Sequence, residues 1–236
     1  MKAIKKLKPN LSAGPDSYPP VLIRKLVNSI AEPLALIYNS LMSVGQVPDM
    51  WRLAIVTPVY KSGAAYDVSN YCRISLTCVF CEVMERVIVS LSVVSDYLMR
   101  KGLINKHQHG FLSRKSTTAN LLKTFDDWIL AINDRASIIT AYIDFSKAFD
   151  VVCQNKLLHK LAACGITGNL LSWINNFLSG RSHVTRIGHS YSNVTYLSSG
   201  VVQGSCIGSL LFLIYVNDVS EAFPDGCVCK LYADDI

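Results

Sequence analysis

Three aspartates are the residues of this sequence whose type and position most clearly suggest chemistry. Asp234 and Asp235 are adjacent and follow the segment 227–231, which suits a short buried strand. Asp144 directly follows the run Ile-Ile-Thr-Ala-Tyr-Ile at 138–143, which predicts another strand. A buried carboxylate is costly unless it is paired or binds a metal. Considered alone, an Asp-Asp pair favours a solvated turn, because aspartate is a common turn residue.

A metal centre is the alternative if the two predicted strands are neighbours in one sheet. Asp144, Asp234 and Asp235 then converge at one edge. Clustered carboxylates repel one another, and divalent cations are their natural neutraliser. Two hard cations roughly 3.5–4 Å apart can activate one oxygen and stabilise another in phosphoryl transfer. The spacing of these residues along the chain leaves the solvated turn and the metal centre both open.

The elements predicted around these aspartates belong to one compact α/β domain. Helices are predicted from Pro20, from Pro33 to Gly45, across 76–102, through 121–132, near 155–164 and 169–178, and after the N-cap candidate Ser205. Strands are predicted at 51–60, 138–143 and 227–231, with a β-hairpin at 181–198. The large apolar residues of the 121–132 helix are expected in the core, as are Val228 and Leu231.

Composition limits the class of protein. The chain has 236 residues, 50% of them hydrophobic, which is enough to bury a core and excludes a disordered tail. Its net charge of +6 permits a polyanionic partner without establishing one. The apolar runs fall short of the roughly 20 residues of a membrane helix, so no membrane partner is expected. The eight cysteines form no regular framework, which suggests a reducing, intracellular compartment.

Cys78 and Cys81 have the spacing of zinc ligands, with His107 and His109 as conceivable partners. The two cysteines lie inside an apolar helical pattern, however, and cysteine is commonly a small buried hydrophobe. A structural zinc site also needs a closed set of ligands. The pattern therefore favours core cysteines over a zinc site.

A series of motifs runs along the chain. The tetrapeptide Tyr-Ala-Asp-Asp at 232–235 resembles the Tyr-x-Asp-Asp signature of reverse transcriptases. The heptapeptide Asp-Phe-Ser-Lys-Ala-Phe-Asp at 144–150 resembles the aspartate motif of the non-LTR retrotransposon branch, which includes LINE-like and jockey-like elements. Further segments similar to that branch follow the family's order, at 12–16, 51–61, 70–71, 109–111, 200–205 and 210–218. The resemblance spans essentially the whole chain.

The resemblance implies an α/β (α+β) fold of the right-hand polymerase type. Residues 1–135 would form mainly the fingers and 136–236 mainly an incomplete palm, with the thumb missing. The implied activity is that of an RNA-directed DNA polymerase, which adds deoxynucleotides to a primer 3′-hydroxyl with two Mg²⁺ ions, or with Mn²⁺ in their place. The implied partners are an RNA template, a DNA primer and deoxynucleoside triphosphates. Nuclear localisation follows by analogy with the family.

The resemblance also assigns the metal ligands and the template contacts. Asp144, Asp234 and the backbone carbonyl of Phe145 would hold Mg²⁺, with Asp235 beside them. Arg114 and Lys115 would contact the template, because phosphates attract positive charge.

The nucleotide site follows from the same resemblance. Lys61 would reach the phosphates of the nucleotide, and Phe149 would crowd a ribose 2′-hydroxyl and so select deoxynucleotides. Gln203 and Gly204 would line the floor under the incoming base, where glycine lets the backbone approach closely. Arg73 is the remaining nucleotide-binding candidate.

The second finger motif departs from the family. Cys72 occupies the place of the triphosphate-binding arginine, and a thiol cannot replace a bidentate guanidinium. Arg73 is displaced by one residue and, on an extended segment, is expected to point to the opposite side.

The chain also ends directly after the Tyr-x-Asp-Asp turn, so the return strand is expected to be absent. Two alternatives to an active polymerase therefore stay open. One is an inactive, truncated remnant of a retrotransposon, and the other is a nucleic-acid-binding module without catalysis.

Overall fold

The computed structural model describes residues 1–10, 12–90 and 94–236. Its helices are α1 Lys2–Lys5, α2 Pro20–Lys25, α3 Val27–Val44, α4 Val79–Ser90, α5 Val94–Arg100, α6 Thr117–Asn133, α7 Gln154–Ala163, α8 Gly168–Leu178 and α9 Cys206–Tyr215. Its strands are β1 Leu53–Tyr60, β2 Tyr71–Leu76, β3 Ser182–Ile187, β4 Ser190–Tyr191 and β5 Thr195–Tyr196. Short 3₁₀ turns lie at Asp49–Trp51, Val68–Asn70 and Val219–Ala222.

The strands form one mixed sheet in the order β2-β1-β3-β4, with β5 also paired to β3. β1 and β2 are antiparallel, so that Tyr60 lies opposite Tyr71, whereas β1 and β3 are parallel. The predicted strand at 51–60 is confirmed as β1. The predicted hairpin at 181–198 is confirmed as well, because β3 and β4 turn back on each other at Gly188 and His189.

The core lies where α9 packs against α4 and α7. α9 is apolar nearly all round and is almost completely buried, from Ile207 to Ile214. The Ser205 hydroxyl accepts a hydrogen bond from the Gly208 N–H at 3.0 Å, which confirms Ser205 as the N-cap. This cap fixes the point where the loop carrying Gln203 enters the core.

The predicted strands at 138–143 and 227–231 do not form. Ile139 and Tyr142 are 98% and 83% exposed, and Val228, which was expected in the core, is 67% exposed. Leu231 alone is buried as predicted. A strand is stable only when neighbouring strands satisfy its backbone groups and cover one face. In the described residues, the backbones of 138–143 and 227–231 pair with other segments only at their ends, through Ile143 and Leu231.

The prediction for the helix at 121–132 is half right. The helix forms as α6, capped by the Ser116 hydroxyl, which accepts from the Ala119 N–H at 3.1 Å. Its large apolar residues are not in the core, however: Leu121, Leu122 and Phe125 are all more than half exposed. An amphipathic pattern predicts an apolar face but not whether another element covers it. Among the described elements, none packs extensively against this face.

Two other helix boundaries differ from prediction. The helix expected to begin at Pro33 begins at Val27, and Pro33 lies inside α3, where its ring nitrogen cannot donate to the carbonyl of Ser29. Gly45 ends α3 in the left-handed conformation, as predicted. Within the helix predicted across 76–102 the structure has α4 and α5, and residues 91–93 lie outside the described part of the chain.

The cysteines weighed as zinc ligands lie in the core. Cys78 and Cys81 are 1% and 0% exposed. The Cys78 thiol donates to Asp16 Oδ2 at 2.9 Å, and the Cys81 thiol donates to Glu85 Oε1 at 3.7 Å. Burial raises the pKa of Cys78 to about 12, so this thiol stays protonated at neutral pH.

The observed fold is a mixed α/β arrangement, consistent with the expected fingers and palm. Of the helices in the described ranges, none combines the length and apolarity needed to cross a bilayer. The division into fingers at 1–135 and palm at 136–236 stays a prediction.

Candidate active site

The segment 232–235 is a tight turn closed by its own backbone. The Tyr232 N–H donates to the Asp235 carbonyl at 2.9 Å, and the Asp235 N–H donates to the Tyr232 carbonyl at 3.1 Å. Ala233 and Asp234 therefore form the tip. Ala233 has a φ of +59°, in the left-handed region that favours glycine, so surrounding contacts must hold this conformation.

Asp144 lies beside this turn. It forms an antiparallel bridge with Asp235, flanked by reciprocal hydrogen bonds between Ile143 and Ile236 at 2.9 and 3.1 Å. The structure thus brings the segment before Asp144 next to the Asp-Asp pair, as the convergence hypothesis requires. The predicted strands are not needed for this, because the pairing is confined to Ile143 and Asp144 on one segment and Asp235 and Ile236 on the other.

The carboxylates act on one another electrostatically. Partial burial raises the pKa of Asp234 above its ordinary value of 3.8, and the neighbouring charges of Asp235 and Asp144 raise it further, while Lys61 lowers it. Mutual repulsion among carboxylates is the condition that a bound cation relieves. Asp144 and Asp235 are exposed to solvent, so an ion can reach them.

The donors at the turn suit a hard divalent cation, which prefers carboxylate and carbonyl oxygens. Phe145, whose carbonyl is the predicted fourth donor, follows Asp144 directly and is 40% exposed. Within the described ranges, no group of three His, Cys, Asp or Glu side chains is already arranged to hold a metal ion. The backbone pairing fixes the positions of Asp144 and Asp235, and binding of a metal ion here would require their side chains to rearrange.

Lys61 faces the carboxylates from the β1–β2 hairpin. It directly follows β1, and its N–H donates to the Asn70 carbonyl at 2.9 Å, which closes the loop between the two strands. Its side chain is exposed, and its charge lowers the pKa of Asp234. Lys61 is thus within electrostatic reach of the turn and free to contact an anion.

Cys72 and Arg73 have different partners, as their adjacent positions on β2 predict. The Gln203 amide donates to Cys72 Sγ at 3.6 Å. The Arg73 guanidinium instead forms an ion pair with Asp150. Both Arg73 and Asp150 line a cleft of about 200 Å³ that extends along the sheet to His183. The three aspartates of the candidate centre do not line this cleft.

Gln203 and Gly204 lie against β2. The Ser75 N–H donates to the Gln203 carbonyl at 3.3 Å. Gly204 has a φ of +101°, and a Cβ at this position would lie 3.2 Å from the Ser75 carbonyl oxygen. Both the backbone conformation and the close approach to β2 thus favour glycine here.

Phe149 is a core residue with a small exposed part. Its ring stacks on Phe212, with centroids 4.5 Å apart, and meets Phe111 edge-on at 6.0 Å. Only 9% of the residue is exposed. Its predicted contact with the nucleotide sugar stays a prediction, and the described packing limits that contact to the exposed part of the ring.

Arg114 and Lys115 belong to a basic region before α6. Arg114 is exposed, and Lys115 is half-buried with its ammonium donating to the Lys106 carbonyl at 2.7 Å. Burial and the charge of Lys123 lower the pKa of Lys115. Burial first and then the charges of surrounding lysines also lower the pKa of His107. This positive potential is what a phosphate backbone would compensate.

Two buried polar residues near the site had no predicted role. Glu85, fully buried on α4, accepts a hydrogen bond from the Ile207 N–H at 3.2 Å, at the start of α9. Gln108, 2% exposed, binds the backbone of Ala233. The available signal was weak: Gln108 directly precedes the His109-Gly110-Phe111 motif, and Glu85 is one of three charged residues, with Glu82 and Arg86, in a mainly apolar helix.

Comparison with known proteins gives the family. The family model described as "Reverse transcriptase (RNA-dependent DNA polymerase)" matches residues 60–236, well over half of the chain. The chain belongs to the reverse transcriptase family. The matched region contains the candidate carboxylates, the loop that follows Tyr60 together with β2, and the Gln203 loop.

The similar proteins include polymerases of non-LTR retrotransposons from Drosophila melanogaster. The chain is 27% identical, over its whole length, to "Probable RNA-directed DNA polymerase from transposon BS", of which the match covers 26%. It is 29% identical, over 98% of its length, to "RNA-directed DNA polymerase from mobile element jockey", again covering 26% of that protein. A third relative is "Probable RNA-directed DNA polymerase from transposon X-element", 25% identical over 86% of this chain and 22% of the relative. The chain thus spans about a quarter of these relatives.

Proposed function

We propose that this chain carries the catalytic centre of an RNA-directed DNA polymerase of a non-LTR retrotransposon. The observation that carries the proposal is the antiparallel bridge between Asp144 and Asp235, which brings separate carboxylate motifs to one turn. The similarity to the jockey and BS polymerases supports the same reaction. The nucleophile is a primer 3′-hydroxyl, and the electrophile is the α-phosphorus of a deoxynucleoside triphosphate.

Divalent metal ions are the general requirement of reverse transcriptases, and their part in this chemistry is to activate the 3′-hydroxyl and neutralise the triphosphate. In this chain Asp144, Asp234 and the Phe145 carbonyl would hold Mg²⁺, as two ions, with Asp235 completing the negative surface. The raised pKa of Asp234, caused by burial and by its two acidic neighbours, supports this assignment, because a cation lowers the repulsion. Mn²⁺ suits the same oxygen donors.

Nucleotide binding would use the residues that surround the turn. Lys61, whose charge already reaches Asp234, offers its ammonium to the phosphates. The Gln203 loop lies on β2 beside Cys72 and offers a surface for the base. Arg73 is engaged by Asp150, so its contact with a triphosphate would require it to exchange that carboxylate for a phosphate.

A reverse transcriptase uses a nucleic-acid template and nucleotides as substrates. The finer assignment is an RNA template paired with a DNA primer, with Arg114 and Lys115 on the template backbone. Their place in a basic region next to Lys106 and Lys123 supports it. We propose intracellular, nuclear localisation by analogy with the family.

The test is primer extension by the purified chain on oligo(dT) annealed to poly(rA), with dTTP and Mg²⁺. We expect extension by the wild type, background activity for Asp144→Asn, and wild-type activity for Asp225→Asn. Asp225 is a matched control because it is exposed, in a turn closed by the Cys227 N–H to the Pro224 carbonyl. Equal extension by wild type and Asp144→Asn would contradict the proposed centre.

Background activity of the wild type, persisting after Cys72→Arg and Arg73→Pro, would instead favour an inactive remnant. Filter binding with RNA tests the remaining alternative, a nucleic-acid-binding module without catalysis. That module would bind RNA in a salt-dependent way, whether or not the three aspartates were replaced.

A further inference from the structure

The side chain of Gln108 holds the tip of the aspartate turn. Gln108 Oε1 accepts a hydrogen bond from the Ala233 N–H at 2.8 Å, and its Nε2 donates to the Ala233 carbonyl at 3.4 Å. The same Oε1 accepts from the Gly110 N–H at 2.7 Å. One buried amide thus engages both backbone groups of Ala233 and anchors itself to its own segment.

The backbone on either side of Gln108 continues this contact. The His109 N–H donates to the Leu231 carbonyl at 2.8 Å, and the Leu231 N–H donates to the His107 carbonyl at 3.2 Å. This parallel bridge ends at Leu231, just before the turn. Backbone pairing with this segment therefore stops at Leu231. Beyond it, the Gln108 side chain supplies the hydrogen-bond partners for the peptide groups of Ala233.

The backbone conformation of Ala233 explains why such a partner is needed. Its φ of +59° is unfavourable for a residue with a Cβ, so the turn keeps this shape only while its surroundings stabilise it. Gly110 packs against the same peptide: a Cβ there would lie 2.2 Å from the Ala233 nitrogen. Gln108 thus hydrogen-bonds to the N–H and the carbonyl of Ala233, and Gly110 packs against the same residue.

We propose that Gln108 is a positioning residue, whose amide fixes the Ala233 peptide and thereby the direction of the adjacent Asp234 carboxylate. The inference rests on the proposed function, in which Asp234 holds Mg²⁺. An amide suits this position better than a carboxylate. Glutamate would keep the acceptor for Ala233 and Gly110 but could not, when ionised, donate to the Ala233 carbonyl, and it would add negative charge beside Asp234.

Gln108→Met tests the proposal, since it keeps a similar length but removes both hydrogen-bonding groups. Asn176→Leu is the control: the Asn176 side chain also accepts from a backbone N–H, that of Val47 at 2.8 Å, but it lies on α8, outside the site. Gln108→Glu is a milder second variant that preserves the acceptor.

The first measurement is amide hydrogen exchange, followed by mass spectrometry on peptides that cover 231–236. We expect about fivefold to tenfold faster exchange in Gln108→Met, a smaller increase in Gln108→Glu, and wild-type exchange there in Asn176→Leu. Exchange at 231–236 that is unchanged in a folded Gln108→Met, or raised as much by Asn176→Leu, would overturn the proposal. If Gln108→Met does not fold, Gln108→Glu decides in the same way.

The second measurement is the Mg²⁺ dependence of primer extension. We expect Gln108→Met to lower kcat and to leave KM for dTTP little changed. The half-saturating Mg²⁺ concentration should rise by about tenfold. Equal losses for Asn176→Leu, or a changed KM alone, would overturn the positioning role. A wild-type chain that does not extend primers would contradict the proposed function, whereas hydrogen exchange would still decide whether Gln108 holds the turn.

Discussion

Glu85 is a buried ionisable residue next to the loop that carries Gln203. Its carboxyl group is fully buried, accepts from the Ile207 N–H and lies near Arg181 and Glu82. Burial is the largest effect and raises the pKa of Glu85 to about 7, although the Ile207 hydrogen bond and Arg181 oppose it. The start of α9, and with it the Gln203 loop, thus depends on a group that titrates near neutrality.

The raised pKa predicts a specific pH dependence of stability. Between pH 4.5 and 7 the unfolded chain releases the Glu85 proton while the folded chain keeps it, so the wild type loses stability as pH rises through this window. Glu85→Gln lacks this titration. We expect the free energy of unfolding of Glu85→Gln, relative to wild type, to increase by up to about 3 kcal/mol across the window.

Urea denaturation of both proteins at pH 4.5, 6 and 8 would measure this difference. A difference between the two proteins that does not vary with pH would contradict the buried, protonated carboxyl group.

For single residues, prediction from the sequence succeeded where a motif or the local backbone determines the role of the residue. Ser205 could be predicted as an N-cap because a hydroxyl just before an apolar helical pattern suits that position. The different partners of Cys72 and Arg73 agree with strand alternation. Gln108 could not be found in this way, because its partner Ala233 is distant in sequence and only the folded chain brings them together.

At the scale of elements, prediction worked for segments that are stabilised locally. β1, α7, α8 and α9 formed where periodicity and end signals placed them. The segments 138–143 and 227–231 have high strand propensity, but a strand also needs a neighbour. Their pairing is limited to the contacts at Asp144 and at Leu231, so propensity predicted a strand where the fold provides only a bridge.

The exposed apolar face of α6 allows a direct test at this scale. Leu122 on α6 is 58% exposed, whereas Leu211 on α9 is 1% exposed. We expect Leu122→Ala to change the free energy of unfolding by less than about 0.5 kcal/mol and Leu211→Ala to lower it by roughly 2–5 kcal/mol. Urea denaturation of the two variants measures both values. A cost for Leu122→Ala close to that for Leu211→Ala would mean that the face of α6 is covered.

For the whole molecule, the order of the motifs predicted that segments distant in sequence belong to one site. No single helix or strand predicted this. The carboxylates, the β1–β2 hairpin and the Gln203 loop are far apart in sequence, yet Asp144, Asp234 and Lys61 interact in the folded chain. The reverse transcriptase match over 60–236 includes the three aspartates, Lys61 and the Gln203 loop. Physical periodicity alone left the solvated turn and the metal centre open, because it does not determine which strand ends become neighbours.

We propose that Asp144, Asp234 and Asp235 bind divalent cations, and a Mn²⁺ titration followed by electron paramagnetic resonance measures this binding. We expect the wild-type chain and Asp225→Asn to bind Mn²⁺ alike, and Asp234→Asn to bind it at least about tenfold more weakly. Mg²⁺ should compete for the same site. Equal Mn²⁺ affinity of wild type and Asp234→Asn would contradict the claim.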